Sequence, residues 1–363
     1  MTSSRPSPRE NLLTIAPYVG GREEIVGVEA AIKLSANENP LGASPKALAA
    51  LNNFKRLALY PEGSSAALRK ALAAQHQLDA DRIVCGNGSD EILHLMAQAY
   101  LEPGDEAIMT RFAFLVYRLV TEVAGATPII VDEPNLIADV DAMLAAVTPR
   151  TKIVFLANPN NPTGTMLDRG EIERLHAGLR PDILLVLDGA YAEYVADDLY
   201  PAGFDLVDRY ENVVATRTFS KIYGLAALRV GWGYCPAPVA EMLNRIRPPF
   251  NVNAVAASAA IAALEDTDHV VHSREHNTKW RNWLMQQLAG LDVITIASQA
   301  NFILLRFASP QQAEAADHFL GQQGLILRAM ASYGLADCLR LTVGAEEANR
   351  RVITALEQFL RSR

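Results

Sequence analysis

Lys221 lies in Thr216-Arg217-Thr218-Phe219-Ser220-Lys221, and Arg229 follows in Leu228-Arg229-Val230-Gly231. An amine flanked by hydroxyls, with a guanidinium two helical turns on, suits a phosphorylated aldehyde. The amine condenses with the carbonyl to an imine, while the hydroxyls and guanidinium take the phosphate. Standing alone, a Ser-Lys pair before a glycine-bearing loop also describes a solvated surface turn.

Three further stretches bear on the choice. Ile183-Leu184-Leu185-Val186-Leu187-Asp188 is a buried strand ending on a carboxylate. In open α/β sheets the carboxyl ends of strands face the ligand crevice, where Asp188 could hold a cationic ring nitrogen. It could equally cap a helix. Asn158-Pro159-Asn160-Asn161-Pro162-Thr163-Gly164 is either turn chemistry or a loop that aims the Asn161 amide into the same crevice. Cys85-Gly86-Asn87-Gly88-Ser89-Asp90-Glu91 runs from strand to helix through glycines, leaving backbone N–H groups for a phosphate or for an ordinary cap. Its spacing fits neither a dinucleotide fingerprint nor a P-loop.

The elements that must position these residues alternate. Strands are expected at 82–85, 106–110, 127–131, 152–156, 183–187, 212–216 and 231–234, several of them continuous apolar runs of the kind covered on both faces. Helical patterns lie between them, among them 64–75, 90–100 and 168–178. The class is α/β with a mostly parallel seven-stranded sheet. Pro248-Pro249 interrupts the pattern; a long helical region to about 290, strands at 302–307 and 339–343 and a closing helix at 346–359 suggest a smaller α+β domain. The expected division is an arm at 1–30, a large domain at 31–246 and a small domain at 247–363.

The 363 residues allow about two domains. A net charge of -8 argues against nonspecific nucleic-acid binding. Three separated cysteines, Cys85, Cys235 and Cys338, fit buried thiols in a reducing compartment, and no window reads as a signal peptide or membrane span. A soluble, cytoplasmic protein is expected. His269, His272 and His276 share a helix face with Arg274, Glu275 and Lys279 nearby, which reads as solvated surface, so no metal is expected.

Taken in order, Asn161-Pro162-Thr163-Gly164, Asp188-Gly-Ala-Tyr191, Ser220-Lys221, Arg229 and Leu339-Arg340-Leu341-Thr342-Val343-Gly344 resemble the fold type I aminotransferases over nearly the whole chain. Ala16-Pro17-Tyr18-Val19, Leu34-Ser35-Ala36-Asn37-Glu38-Asn39-Pro40, Tyr60-Pro61 and Ile326-Leu327-Arg328-Ala329 are similar to the branch of that family acting on histidinol phosphate. The resemblance implies pyridoxal phosphate as cofactor. It makes Lys221 the catalytic amine and proton carrier and sets Asp188 on the ring nitrogen. Asn161 and Tyr191 would bond the ring oxygen, and Phe114 would stack on the ring. Ser89, Asp90, Thr218, Ser220 and Arg229 would hold the phosphate, joined by Tyr60 from the neighbouring subunit of a homodimer. Arg340, Arg328 and Tyr18 would bind substrate.

The implied reaction passes an amino group from histidinol phosphate to 2-oxoglutarate, a step of histidine biosynthesis, through an amine form of the cofactor. One site must then take a phosphomonoester and a dicarboxylate in turn, which paired guanidiniums can do. Rivals on the same scaffold are an aromatic amino-acid aminotransferase, or an enzyme doing both jobs, and a decarboxylase of a phosphorylated amino acid. A cofactor-binding transcription regulator would carry a DNA-binding module; about 30 residues precede the expected domain here, without a helix-turn-helix pattern or basic face. Three positions depart from the family pattern. Gly189 stands where glutamate is common and Ala227 where glycine is. Leu115 replaces a small residue, from which a tighter, more apolar pocket open to phenylalanine or tyrosine is expected.

Overall fold

The computed structural model describes residues 6–17, 20–25, 27, 30–196 and 203–361. Seven strands form the central sheet, in the order Ile83–Gly86, Gly231–Tyr234, Val213–Thr218, Leu184–Asp188, Thr151–Ala157, Glu106–Thr110, Thr127–Val131. Only Gly231–Tyr234 runs antiparallel to its neighbours. These are the seven segments expected from the apolar runs, with ends moved by at most two residues.

The runs lack alternation because both faces are covered. Val154, Leu156, Leu185, Leu187, Val213 and Ala215 enter one core. The residues between them, Ile153, Phe155, Leu184, Val186 and Val214, enter a second core on the opposite face. The parallel strands therefore end together, and the loops carrying Ser89, Phe114, Asn161, Asp188 and Ser220-Lys221 leave that common edge.

A second sheet holds Arg328–Ala329, Cys338–Thr342, Phe302–Arg306 and Ile294–Thr295 in that order, all antiparallel. Its core gathers Trp280, Leu284, Leu288, Leu305, Leu341 and Leu356. Ile32–Lys33 pairs in parallel with Leu325–Ile326 beside it, so the chain touches the smaller unit before it builds the larger one.

Packing divides the chain later than the Pro248-Pro249 break. Helix Ala254–Leu264 turns Ala256, Ala259, Ala260 and Ala263 into the core of the large unit, against Pro45–Asn52 and Ala66–His76. Small alanines let these helices approach closely. Helix Thr267–Leu288 then carries the chain across: Asn39 bonds Ser273 near its start, and Trp280 onward belongs to the small core. The expected helical region to about 290 consists of these two helices.

The arm is docked where it is described. Arg9 donates to the Val123 carbonyl at 2.8 Å, Asn11 to the Glu122 carbonyl at 2.7 Å, and Arg22 pairs with Asp317 at 2.5 Å. All three cysteines are buried and free. Among the described residues no helix is long and apolar enough to cross a membrane.

Candidate active site

The loops at the strand ends surround one cavity that also receives the small sheet. Ser89, Asp90, Phe114, Asn161, Asp188, Tyr191, Thr218, Ser220, Lys221, Arg229, Arg328 and Arg340 all line it. Residues separated by up to 251 positions (Ser89 to Arg340) converge there. Tyr60 does not: it is 83% exposed on the outside, stacked on Phe250 at 4.8 Å. Tyr18 lies outside the described residues.

Asp188 closes its strand inside the protein and accepts three hydrogen bonds. Thr216 Oγ1 and the Ala190 N–H reach one oxygen at 3.1 Å each, and the Tyr117 hydroxyl reaches the other at 2.7 Å. Burial pushes this carboxyl above its ordinary range, while Tyr117 and Thr216 pull it back. A cationic partner would restore the ionised form.

Lys221 follows Val213–Thr218 by one short turn. Its Nζ donates to the Ala36 carbonyl at 3.1 Å and sits 5.7 Å from the centre of the Tyr191 ring. Burial, then the nearby Arg340 charge, lowers the amine to about 8. A larger neutral fraction near neutrality is what a nucleophilic amine requires. Asn37 donates its amide to the Tyr191 hydroxyl at 2.8 Å, leaving the phenol proton available to an acceptor in the cavity.

The anion side is built from short connections. Thr218 Oγ1 donates to Ser220 Oγ at 2.9 Å, and Arg229 Nη1 reaches the same oxygen at 3.2 Å. Arg229 also pairs with Asp90 at 3.3 Å. Arg229 adopts a left-handed φ of 52°, a conformation that costs energy for a side chain of its size and aims the guanidinium at Ser220. Gly88 makes room: a Cβ there would lie 2.6 Å from Arg229 Nη2. Hydroxyls, a guanidinium and the start of helix Ser89–Tyr100 form a donor set that fits a phosphate.

Arg328 and Arg340 arrive together on the small sheet as cross-strand register partners. Arg340 donates to the Asn161 side-chain oxygen and, at 2.7 Å, to the Ser35 carbonyl. Gly21 of the arm approaches Arg328 so closely that a Cβ would stand 3.2 Å from its Nη1.

Sequence reasoning missed Tyr117, Asn37 and Tyr333, which line the cavity too. Tyr117 sits inside helix Leu115–Ala124, where an aromatic reads as core. Asn37 takes a left-handed φ of 57°, which asparagine tolerates; its place in the motif Leu34-Ser35-Ala36-Asn37-Glu38-Asn39-Pro40 was its one signal. Leu115 lies elsewhere than expected. It packs beside Leu136, Met330 and Tyr333 instead of lining the cavity. His269 and His276 contact the carbonyls of Gly42 and Gly344.

The description of aminotransferase class I and II matches residues 29–356. A histidinol-phosphate aminotransferase from Paramagnetospirillum magneticum is 51% identical over 358 residues, 98% of this chain and 99% of that protein. The crystal structure of histidinol-phosphate aminotransferase from Sinorhizobium meliloti in complex with pyridoxal-5'-phosphate superposes with a TM-score of 0.90 at 25% identity, covering 100% of both chains. The L-threonine-O-3-phosphate decarboxylase from Porphyromonas gingivalis superposes less closely, at a TM-score of 0.78 and 25% identity, over 90% of this chain and 99% of that one. With a lysine, an aspartate and a phosphate-type donor set converging at the strand ends, and the family match spanning nearly all of the sequence, this chain belongs to aminotransferase class I and II, the pyridoxal-phosphate-dependent transaminases.

Proposed function

We propose that the chain transfers the amino group of histidinol phosphate to 2-oxoglutarate, in histidine biosynthesis, as a cytoplasmic homodimer. One observation carries the substrate assignment: Arg328 and Arg340 are direct cross-strand partners, 9% and 5% exposed, and both line the cavity. Two guanidiniums set directly opposite each other on one cavity wall can both turn donors toward a single anion seated between them. A phosphomonoester and a side-chain carboxylate each answer that pair. The relatives named histidinol-phosphate aminotransferase support the same reading.

When bound, pyridoxal phosphate supplies an electrophilic carbonyl and an electron-accepting ring. The chain's own residues do the rest. Ser89 and Asp90 at the helix start, through their backbone N–H groups, would hold the phosphate end together with Thr218, Ser220 and Arg229; Asp188, steadied by Tyr117 and Thr216, would face the ring nitrogen. Asn161 and Tyr191 would donate to the ring oxygen, and Phe114 would cover the ring face. Lys221 would hold the cofactor while no substrate is present, and its amine, once freed by the amino donor, would carry the proton between the substrate α-carbon and the cofactor. An amine lowered to about 8 is suited to both roles near neutral pH. Arg328 and Arg340 grip the anionic end, with the arm at Gly21 closing against Arg328. Tyr60, exposed in the single chain, extends into the neighbouring subunit's cavity.

The test follows the visible absorption of the cofactor-loaded protein as single amino donors are added without acceptor. Histidinol phosphate should abolish the resting band at far lower concentration than phenylalanine. Conversion mainly by phenylalanine or tyrosine would make it an aromatic aminotransferase. Release of carbon dioxide from a phosphorylated amino acid, without need of a keto acid, would make it a decarboxylase.

A further inference from the structure

Behind the cavity, a buried carboxylate joins two of the loops that build it. Glu133 follows strand Thr127–Val131 and does not line the cavity, yet it is only 6% exposed. One oxygen accepts the backbone N–H of Phe112 at 2.8 Å; the other accepts the Asn160 amide at 3.3 Å. Phe112 lies two residues before Phe114, and Asn160 directly precedes Asn161. A single carboxylate thus spans the loop presenting the aromatic ring and the loop presenting the amide.

The connection continues past Asn160. Its amide also reaches Thr163 Oγ1 at 3.1 Å, Thr163 bonds Thr165 at 2.7 Å, and Thr165 donates to the Leu136 carbonyl at 2.6 Å. The Leu136 N–H donates to the Glu133 backbone carbonyl at 3.0 Å, so the circuit closes through the main chain. The turn bearing it is strained: Asn135 and the buried Leu136 hold φ of 56° and 63°, and such a conformation is unusual for leucine. Strain of this kind persists where surrounding contacts over-determine the backbone. Burial keeps the Glu133 carboxyl above its ordinary range; a hydrogen bond from Thr110, the Phe112 N–H and the charge of Arg111 oppose it.

We propose that Glu133 is a positioning residue for the transamination site, holding Phe114 and Asn161 in register with each other through Phe112 and Asn160. This rests on the reading that Phe114 and Asn161 contact the cofactor. A buried polar circuit closed through several hydrogen bonds favours one geometry, and a catalytic group held by such a circuit loses precision when one member is removed.

The variants are Glu133→Ala, Glu133→Gln and Asn160→Ala. Glutamine can keep both links to the loops: its carbonyl accepts from Phe112, and its amide can donate to the Asn160 Oδ1, which has no hydrogen-bond partner among the described residues, once that amide turns over at the cost of its bond to Thr163. Two quantities are read: the equilibrium affinity of the cofactor-free protein for pyridoxal phosphate, by fluorescence quenching, and the separate kcat and KM of the loaded enzyme. E133A and N160A should each weaken cofactor affinity about tenfold or more and lower kcat by a similar factor, with KM for the amino donor within about threefold; E133Q should lose clearly less of both than E133A. Equal losses in E133Q and E133A would show that the charge, not the brace, matters, and would overturn the proposal. Unchanged affinity and kcat in E133A would overturn it as well. Should E133A fail to fold, N160A decides alone, and its retention of wild-type affinity and kcat would count against the brace. Wild-type protein measured alongside separates the two levels: failure of wild type to bind pyridoxal phosphate removes the cofactor reading itself.

Discussion

The Tyr117 hydroxyl donates to Asp188 Oδ2 at 2.7 Å, from inside a helix to the end of a buried strand. Burial drives the Tyr117 phenol well above its ordinary range, so it remains a donor at every working pH. It therefore fixes the orientation of the carboxylate and favours its charge. Tyr117→Phe removes one hydrogen bond to a charged group, worth ~1.5–3 kcal/mol, and should lower kcat about tenfold or more. The ring still stacks on Phe155 at 4.9 Å, so folding should survive. Steady-state kinetics with separate kcat and KM checks it; an unchanged kcat would mean that Thr216 and the Ala190 N–H suffice.

Lys221 gives both a catalytic and a pH prediction. In the unfolded chain its amine keeps a proton up to about 10.5, in the folded cofactor-free protein only up to about 8. Between these values the unfolded state binds more protons, so stability rises with pH across the window. Below about 8 the folded state carries the full cost of an ammonium buried near Arg340. Lys221→Met should therefore abolish turnover yet melt higher than wild type near pH 7, both without cofactor, with the gap closing between pH 8 and 10.5. Melting curves at stepped pH decide; a gap that stays constant would contradict the assigned shift.

How far the site could be read from sequence depends on where each residue sits. Asn161, Asp188, Ser220 and Lys221 were legible because each follows an apolar strand, and the ends of parallel strands share one edge. The sheet itself was legible for the same reason: unalternating runs such as Leu184–Val186 have one stable use, between two covered faces. Tyr117, Asn37 and Glu133 were not. Their importance lies in a partner's position, respectively Asp188, Tyr191 and the Phe112–Asn160 pair, and no local pattern encodes a contact across 71, 154 or 27 residues. Leu115 failed differently: it opens a helix, where the sequence does not say which way the side chain points, and it packs beside Leu136 and Met330. Helix Ala254–Leu264 crossed the expected boundary because a proline pair ends a helix without ending a core.

Arg328 has a selective role to defend. Arg328→Ala leaves Arg340 bound to Asn161 and Ser35, so a ligand with one carboxylate keeps its main anchor. Losing a charge-assisted fork costs about 2 kcal/mol or more, roughly 30-fold. The kcat/KM for histidinol phosphate and for glutamate should fall by that order, and for phenylalanine several-fold less. Equal losses for all three would argue against a selective anion anchor.

Gly189 fits its neighbour. A Cβ there would lie 1.9 Å from Arg217 Nη1, and Arg217 is buried, stacked over Phe204 at 4.7 Å and bonded to the Thr216 carbonyl at 2.8 Å. Arginine at 217 thus occupies the space that a larger residue at 189 would need. Gly189→Ala should destabilise by ~1–3 kcal/mol, the usual cost of overpacking a filled interior. Gly189→Glu should cost more unless Arg217 is shortened as well. Urea midpoints of G189A, G189E and G189E/R217A test this; additive losses in the double variant would show that the two positions are independent.

Tyr60 makes the last prediction, because the cavity of a single chain lacks it. It stands exposed with Leu57, Leu59 and Phe250, an apolar patch of the kind buried between subunits. If Tyr60 serves the neighbouring cavity, Lys221→Ala and Tyr60→Ala subunits carry complementary defects. A mixed dimer then has one site with both residues intact and one lacking both. Each variant alone should be impaired, K221A fully and Y60A in part, through weaker hold on the cofactor phosphate. Unfolding and refolding the two together, with K221A in large excess so that nearly every Y60A chain enters a mixed dimer, should raise the activity per Y60A chain toward that of one intact site. If Tyr60 instead served its own subunit, the lysine of each Y60A chain would still lack it, and mixing would restore nothing.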